Sequence, residues 1–213
     1  MNATMPSRWP QVAAQPYAWP FDGRWSSTDS ALIVIDVQRD LAERVADAAL
    51  LDRMQQVVQA ARRRALPIVF TTRAIDPSSD ADARWAAIDA PDARPAAIGS
   101  AGAALARPHW RLAGDLLVQR SAWSPFQGTD LEVQLRARGV RNLILIGLTT
   151  DGAVHACMRK ANDAGLECLL LEDACVAVRP AHHQTILDVT RFGNGLFGTT
   201  ATARQLINAL PQP

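Results

Sequence analysis

"NLILIGLTTDGAVHACMRKANDAGLECLLLED", residues 142–173, decides the fold. Residues 142–147 form a solid apolar run ending in Gly147. A short Leu-Thr-Thr-Asp turn follows, then helical spacing over 151–164 with a stop at Gly165. A second apolar run fills 167–173. A strand, a crossover helix and a second strand at this spacing make a βαβ unit, whose strands are parallel and whose crossover is right-handed. Both runs are apolar at consecutive rather than alternate positions, over 143–146 and 168–171, so each strand is buried on both faces.

The same grammar extends outward. "ALIVIDVQ" (31–38), "PIVFTT" (67–72) and "DLLVQR" (115–120) read as further strands, and "GLF" (195–197) as an edge strand. Helices are predicted over 46–64, 129–140, 180–191 and 201–210. Thr129 is the expected N-cap of the second and Gly139 its stop. The expected fold class is α/β, a doubly wound six-stranded parallel sheet with helices on both faces. Residues 29–213 form a single domain. Residues 1–28 form an N-terminal arm, where Pro6, Pro10, Pro16 and Pro20 oppose regular structure. Trp9, Trp19 and Trp25 give this arm something to bury, on the domain or on a neighbouring subunit. Residues 74–112, rich in Ala, Asp and Pro, read as an irregular excursion with short helices that lines the pocket.

Composition narrows the partners. Hydrophobic residues make up 48% and charged residues 20%, with a net charge of +1. That balance gives no electrostatic claim on nucleic acid or an acidic membrane. No run of 18 apolar residues spans a bilayer, and the N-terminus lacks a secretion-signal core. Cys157, Cys168 and Cys175 lack metal-type spacing, and His182 and His183 lack a third ligand. No metal and no cofactor is expected. A reducing, cytoplasmic location fits, with a small molecule as ligand.

In open parallel sheets, ligands bind at the carboxyl ends of the strands. Asp36, Arg120 and the 147–154 elbow gather there. Asp36 is a candidate general acid or base, or else a turn-capping residue. Arg120 is a candidate partner for Asp36 or for an anionic substrate, or else one surface arginine among many. At the elbow, backbone N–H groups of a helix start can hold an anion or a developing oxyanion. It is a nucleophile's seat, yet Gly152, Ala153 and Val154 cannot attack a carbonyl. Cys157 lies one turn deeper and reads as packing.

The stretches "PYAWPFDG", "ALIVIDVQRD", "SPFQGTDLE", "NLILIGLTTD", "MRKANDAGLECLLLEDAC" and "GNGLFGTT" resemble the isochorismatase-like cysteine hydrolases, and within them the biuret and ureidoacrylate amidohydrolases. The resemblance covers nearly the whole chain. It implies a six-stranded doubly wound sheet, an oligomer, and an Asp–Lys–Cys triad beside a cis peptide. Carried over by position, the Asp is Asp36, the Lys falls on Arg120 and the Cys falls on Ala153. The cis peptide falls on Leu148–Thr149. Gln38, Leu148, Thr149 and Gly152 become the expected substrate contacts, and the subgroup's substrate-holding Gln falls on Gly193. The resemblance thus implies a triad changed at two of its three positions.

Three accounts follow. The chain is a hydrolase acting on, or binding, a small amide, carbamoyl or vinyl-ether compound without the thioester step. In the vinyl-ether version, Asp36 is the acid and Arg120 takes a substrate carboxylate. Alternatively, it is a pseudoenzyme, binding a ligand or an active paralogue in a homo- or hetero-oligomer. Finally, an engineered Cys-to-Ala change would account for Ala153 but not for Arg120, Gly152 or Gly193.

Overall fold

A computed structural model of the chain describes residues 8–87 and 95–211. Six strands carry the sheet: β1 (Ser30–Ile35), β2 (Ile68–Ile75), β4 (Leu116–Arg120), β5 (Asn142–Leu148), β6 (Glu167–Val176) and β7 (Thr199–Ala201). A two-residue strand, β3 (Ala96–Ala97), makes a seventh. All pairings are parallel, in the order β3-β2-β1-β5-β6-β7. β4 pairs along Val69–Arg73 of β2, and β3 continues that edge at Ala74–Ile75. This is the doubly wound α/β sheet that the apolar runs predict.

Each strand feeds two cores, because successive side chains point to opposite faces. Leu32 and Val34 of β1 join Ile144, Ile146 and Leu148 of β5 in one layer, under α2 (Ala48–Arg63) and α7 (Ala203–Ala209). Ala31, Ile33 and Ile35 join Leu143 and Leu145 in the other, under α4 (Leu131–Ala137) and α5 (His155–Asp163). Each buried Leu or Ile contributes about 1.5–3 kcal/mol, so both faces are strongly specified. β1 and β5 lie side by side, and the chain leaves them toward opposite faces. Beyond their carboxyl ends the chain therefore diverges and opens a crevice. Their close approach requires glycine at Gly147, where φ is 142° and a Cβ would lie 2.1 Å from the Ile35 carbonyl oxygen.

Several boundaries differ from expectation. The last strand is Thr199–Ala201, not 195–197. The earlier stretch ends α6 (Pro180–Gly195) through left-handed residues Gly193, Asn194 and Gly195, whose φ values of 60°, 62° and 88° reverse the backbone. A short α1 (Arg39–Val45) was not expected. α5 begins at His155 rather than 151, because residues Thr150–Val154 form a wider π turn broken at Gly152. Asp130, not Thr129, is the N-cap of α4. The Thr129 hydroxyl still accepts from the Leu131 N–H at 3.3 Å. The 74–112 excursion holds α3 (Asp80–Ala86), β3 and two 3-10 turns, and its residues 88–94 lie outside the described residues.

The arm packs on its own domain. Trp9 and Trp19 meet Trp25 edge to face, at 4.8 and 5.1 Å between ring centroids. Gln15 bridges Thr200 and so covers the β7 edge. Among the described residues, no helix is long and apolar enough to cross a membrane.

Candidate active site

Asp36 follows the last residue of β1 in a left-handed conformation, φ 50°, one of the few that Asp tolerates. Its side chain is buried and lines the crevice. Arg120, at the end of β4, reaches across β2 and grips it with two parallel bonds: Nη1 donates to Oδ1 at 2.5 Å and Nη2 to Oδ2 at 2.8 Å. The Thr71 hydroxyl donates to Oδ1 at 2.7 Å. Arg120 Nη2 also donates to the Trp123 carbonyl at 3.0 Å. A bidentate guanidinium–carboxylate pair of this kind is strong and geometrically fixed.

Arg120 is therefore Asp36's buried counter-ion. It sits behind the carboxylate and does not line the cavity, so it cannot also take a substrate carboxylate as the vinyl-ether reading requires. The cationic wall comes instead from Arg44, Arg73 and Arg179. Arg73 lies 3.9 Å above the Trp123 ring, and its Nε donates to the Ser121 carbonyl at 2.9 Å. Burial lowers its pKa to about 10, against the pull of Asp36.

The cavity measures about 500 Å³ and opens at the carboxyl ends of β1 and β5. Asp36, Gln38, Leu148, Thr149, Gly152 and Ala153 all line it, whereas Gly193 does not. Gln38 lines it with an amide already in use. Its Nε2 donates to the carbonyls of Arg73 at 2.9 Å and Ala103 at 2.8 Å, and its Oε1 accepts from the Arg73 N–H at 2.8 Å. It clamps the loops more than it faces a substrate. The Leu148–Thr149 peptide is cis, as the resemblance implied. Gly152 is close under Trp123, since a Cβ there would meet the indole at 2.8 Å.

The elbow differs from expectation in one respect. The N–H groups of Gly152 and Val154 both donate to the Thr149 carbonyl, at 3.1 and 3.2 Å. These two donors are spent inside the turn rather than aimed at a ligand. Ala153 presents a buried methyl. Cys157 is fully buried below it, and burial pushes its thiol up to about 12, which keeps it protonated and inert. His155 stands half-buried against Phe197, and burial lowers its pKa. Among the described residues, no group of three or more His, Cys, Asp or Glu is arranged to hold a metal.

Sequence reasoning missed four contributors. Thr71 and Arg73 lie in β2, Thr71 inside the expected strand 67–72 and Arg73 just beyond its expected end, and nothing in that pattern marks either as a site residue. Trp123 lies in a loop without periodicity. Asp151 faces His182 across the cavity wall, with Nδ1 and Oδ2 2.8 Å apart. The acid at the elbow was the one available signal for that pair.

Comparison with known proteins bears on this site. The isochorismatase domain model matches residues 30–205. The chain belongs to the isochorismatase family. An uncharacterised isochorismatase family protein, YecD of Escherichia coli O157:H7, is 28% identical over 199 residues, covering 85% of this chain and 96% of that one. The ureidoacrylate amidohydrolase RutB of Agrobacterium fabrum is 34% identical over 101 residues, covering 46% of this chain and 42% of its own length. A cysteine hydrolase structure from Pseudomonas syringae pv. phaseolicola superposes with a TM-score of 0.75 at 21% identity, covering 88% and 95%. This isochorismatase-family chain is thus a hydrolase-family member with amidohydrolase relatives.

Proposed function

We propose that the protein acts on a small amide or carbamoyl compound held in the cavity, by a route that forms no thioester. The observation that carries this reading is the side chain at position 153. It is a methyl group on the cavity wall, 2% exposed, where the resemblance seats a sulfur. The helix's own thiol, Cys157, is buried and cannot replace it. Support for the substrate class comes from the relative named a ureidoacrylate amidohydrolase. The vinyl-ether class is less favoured, since Arg120 is engaged with Asp36.

One observation favours a second reading, that of a ligand-binding partner of an intact paralogue. Both Asp36 carboxylate oxygens already accept bonds, from Arg120 and from the Thr71 hydroxyl. That opposes Asp36 as a proton acceptor. Calorimetric titration with biuret, N-carbamoylglycine and ureidoacrylate, beside an ammonia-release assay, separates the two. The proposal expects saturable binding and turnover with no covalent adduct in mass spectra. Binding without turnover establishes the partner reading, which light scattering with a paralogue then extends. Absence of binding rejects both. The Ala153→Cys/Arg120→Lys variant is expected to form the adduct that the native chain cannot.

A further inference from the structure

Two consecutive histidines at the start of α6 bond to two consecutive residues of the elbow. His183 Nδ1 lies 2.8 Å from the Thr150 hydroxyl, which is fully buried. His182 Nδ1 lies 2.8 Å from Asp151 Oδ2. The inner pair is a fastener that fixes α6 on the elbow. The outer pair lines the cavity, together with Ala153 and Gly152.

A carboxylate at Nδ1 selects one tautomer of the neutral imidazole. Nδ1–H donates to Asp151, and the lone pair sits on Nε2, on the far side of the ring. An imidazole oriented by an aspartate in this way is a base held ready for proton transfer. Asp36 is poorly placed for that task, because three donors already hold its oxygens. Oδ2 accepts one of these bonds and keeps a further lone pair, suited to a ligand N–H.

We propose that His182, oriented by Asp151, is the general base of this cavity and activates a water molecule for direct attack on the substrate carbonyl. The inference rests on the reading that the cavity holds an amide or carbamoyl compound. The water oxygen bonds to the carbonyl carbon while its proton passes to His182 Nε2. The tetrahedral intermediate then collapses, the C–N bond breaks, and the same proton passes to the departing nitrogen. The products are an acid and an amine, and His182 returns to its starting state. A methyl at 153 occupies less space than a thiol, and about 500 Å³ holds a small carbamoyl compound with a water molecule beside it, whose share of liquid volume is about 30 Å³.

The ester p-nitrophenyl acetate tests the base without knowledge of the natural substrate. The native chain is expected to hydrolyse it saturably, more slowly in heavy water. His182→Ala is expected to lower kcat/KM by about 100-fold. Its side chain is 52% exposed, so circular dichroism and the melting midpoint stay unchanged. Asp151→Asn is expected to lower kcat with little change in KM, a split that a merely structural role would not produce. His109→Asn, outside the cavity, is expected to change nothing. No hydrolysis above buffer, a rate that survives His182→Ala, or an acetyl group trapped on His182 would each overturn the assignment. Calorimetry with the three carbamoyl compounds runs in parallel. Binding without His182-dependent hydrolysis overturns the base and leaves the proposed ligand class standing, whereas absent binding overturns the ligand class whatever the ester shows.

Discussion

Asp36 and Arg120 behave as one unit. Both side chains are buried, and each supplies the other's charge partner. Arg120→Ala leaves a carboxylate in the interior without a counter-ion and is expected to cost about 3–5 kcal/mol, read as a fall in the urea midpoint. Arg120→Lys keeps the charge but loses the fork and is expected to cost less. Asp36 and Arg120 were legible as site positions because uninterrupted apolar runs fix where strands end. Their roles were not, since an arginine at a strand end can face either a substrate or a carboxylate. The difference lies in which way a side chain turns across β2, and no one-dimensional pattern encodes that.

At the scale of elements, legibility followed apolar periodicity. α2 was readable from its stripe of Leu50, Leu51, Met54, Val57, Val58 and Ala61, all buried. α1 was not, because Ala42 is its only buried residue and no stripe marks it. The final strand was displaced because "GNGLFGTT" carries apolar residues in the turn and threonines in the strand. Those threonines are buried, and the Gln15 bridge pairs Thr200 with the arm. The tryptophans mark the arm as a packing segment without naming its surface, and that surface is this domain's own. Trp25 joins Trp9 and Trp19, and its indole N–H donates to the Pro10 carbonyl at 2.8 Å. Trp25→Ala is expected to cost about 3–5 kcal/mol, seen as a lowered melting midpoint with the α/β circular dichroism retained.

Over the whole molecule, the three free thiols, Cys157, Cys168 and Cys175, are buried, and burial raises the pKa of each above the ordinary 9.0. Below pH 9 both folded and unfolded chains keep these protons, and the contribution to stability is fully present. Above it the unfolded chain releases them while the folded chain holds them, so stability falls as pH rises. Each thiol adds to that fall by at most about 1.4 kcal/mol per pH unit, beginning near pH 9. Denaturant titrations above that pH are expected to show the slope, and a triple Cys→Ala variant to flatten it. At pH 8, a thiol reagent should find no reactive cysteine until the chain is unfolded.

The divergence of the chain after β1 and β5 divides the cavity into a floor and a rim. The floor is the middle of the sheet, where Asp36 is buried, Leu148 joins one core and Ala153 the other. The rim is α1 and the approach to α6, where Arg44, Val178 and Arg179 stand at the surface. A substitution on the rim alters which molecule fits and leaves folding nearly untouched. A substitution in the floor alters the chemistry and stability together. Such a molecule can change what it holds one rim residue at a time, whereas each change in the floor also draws on its stability.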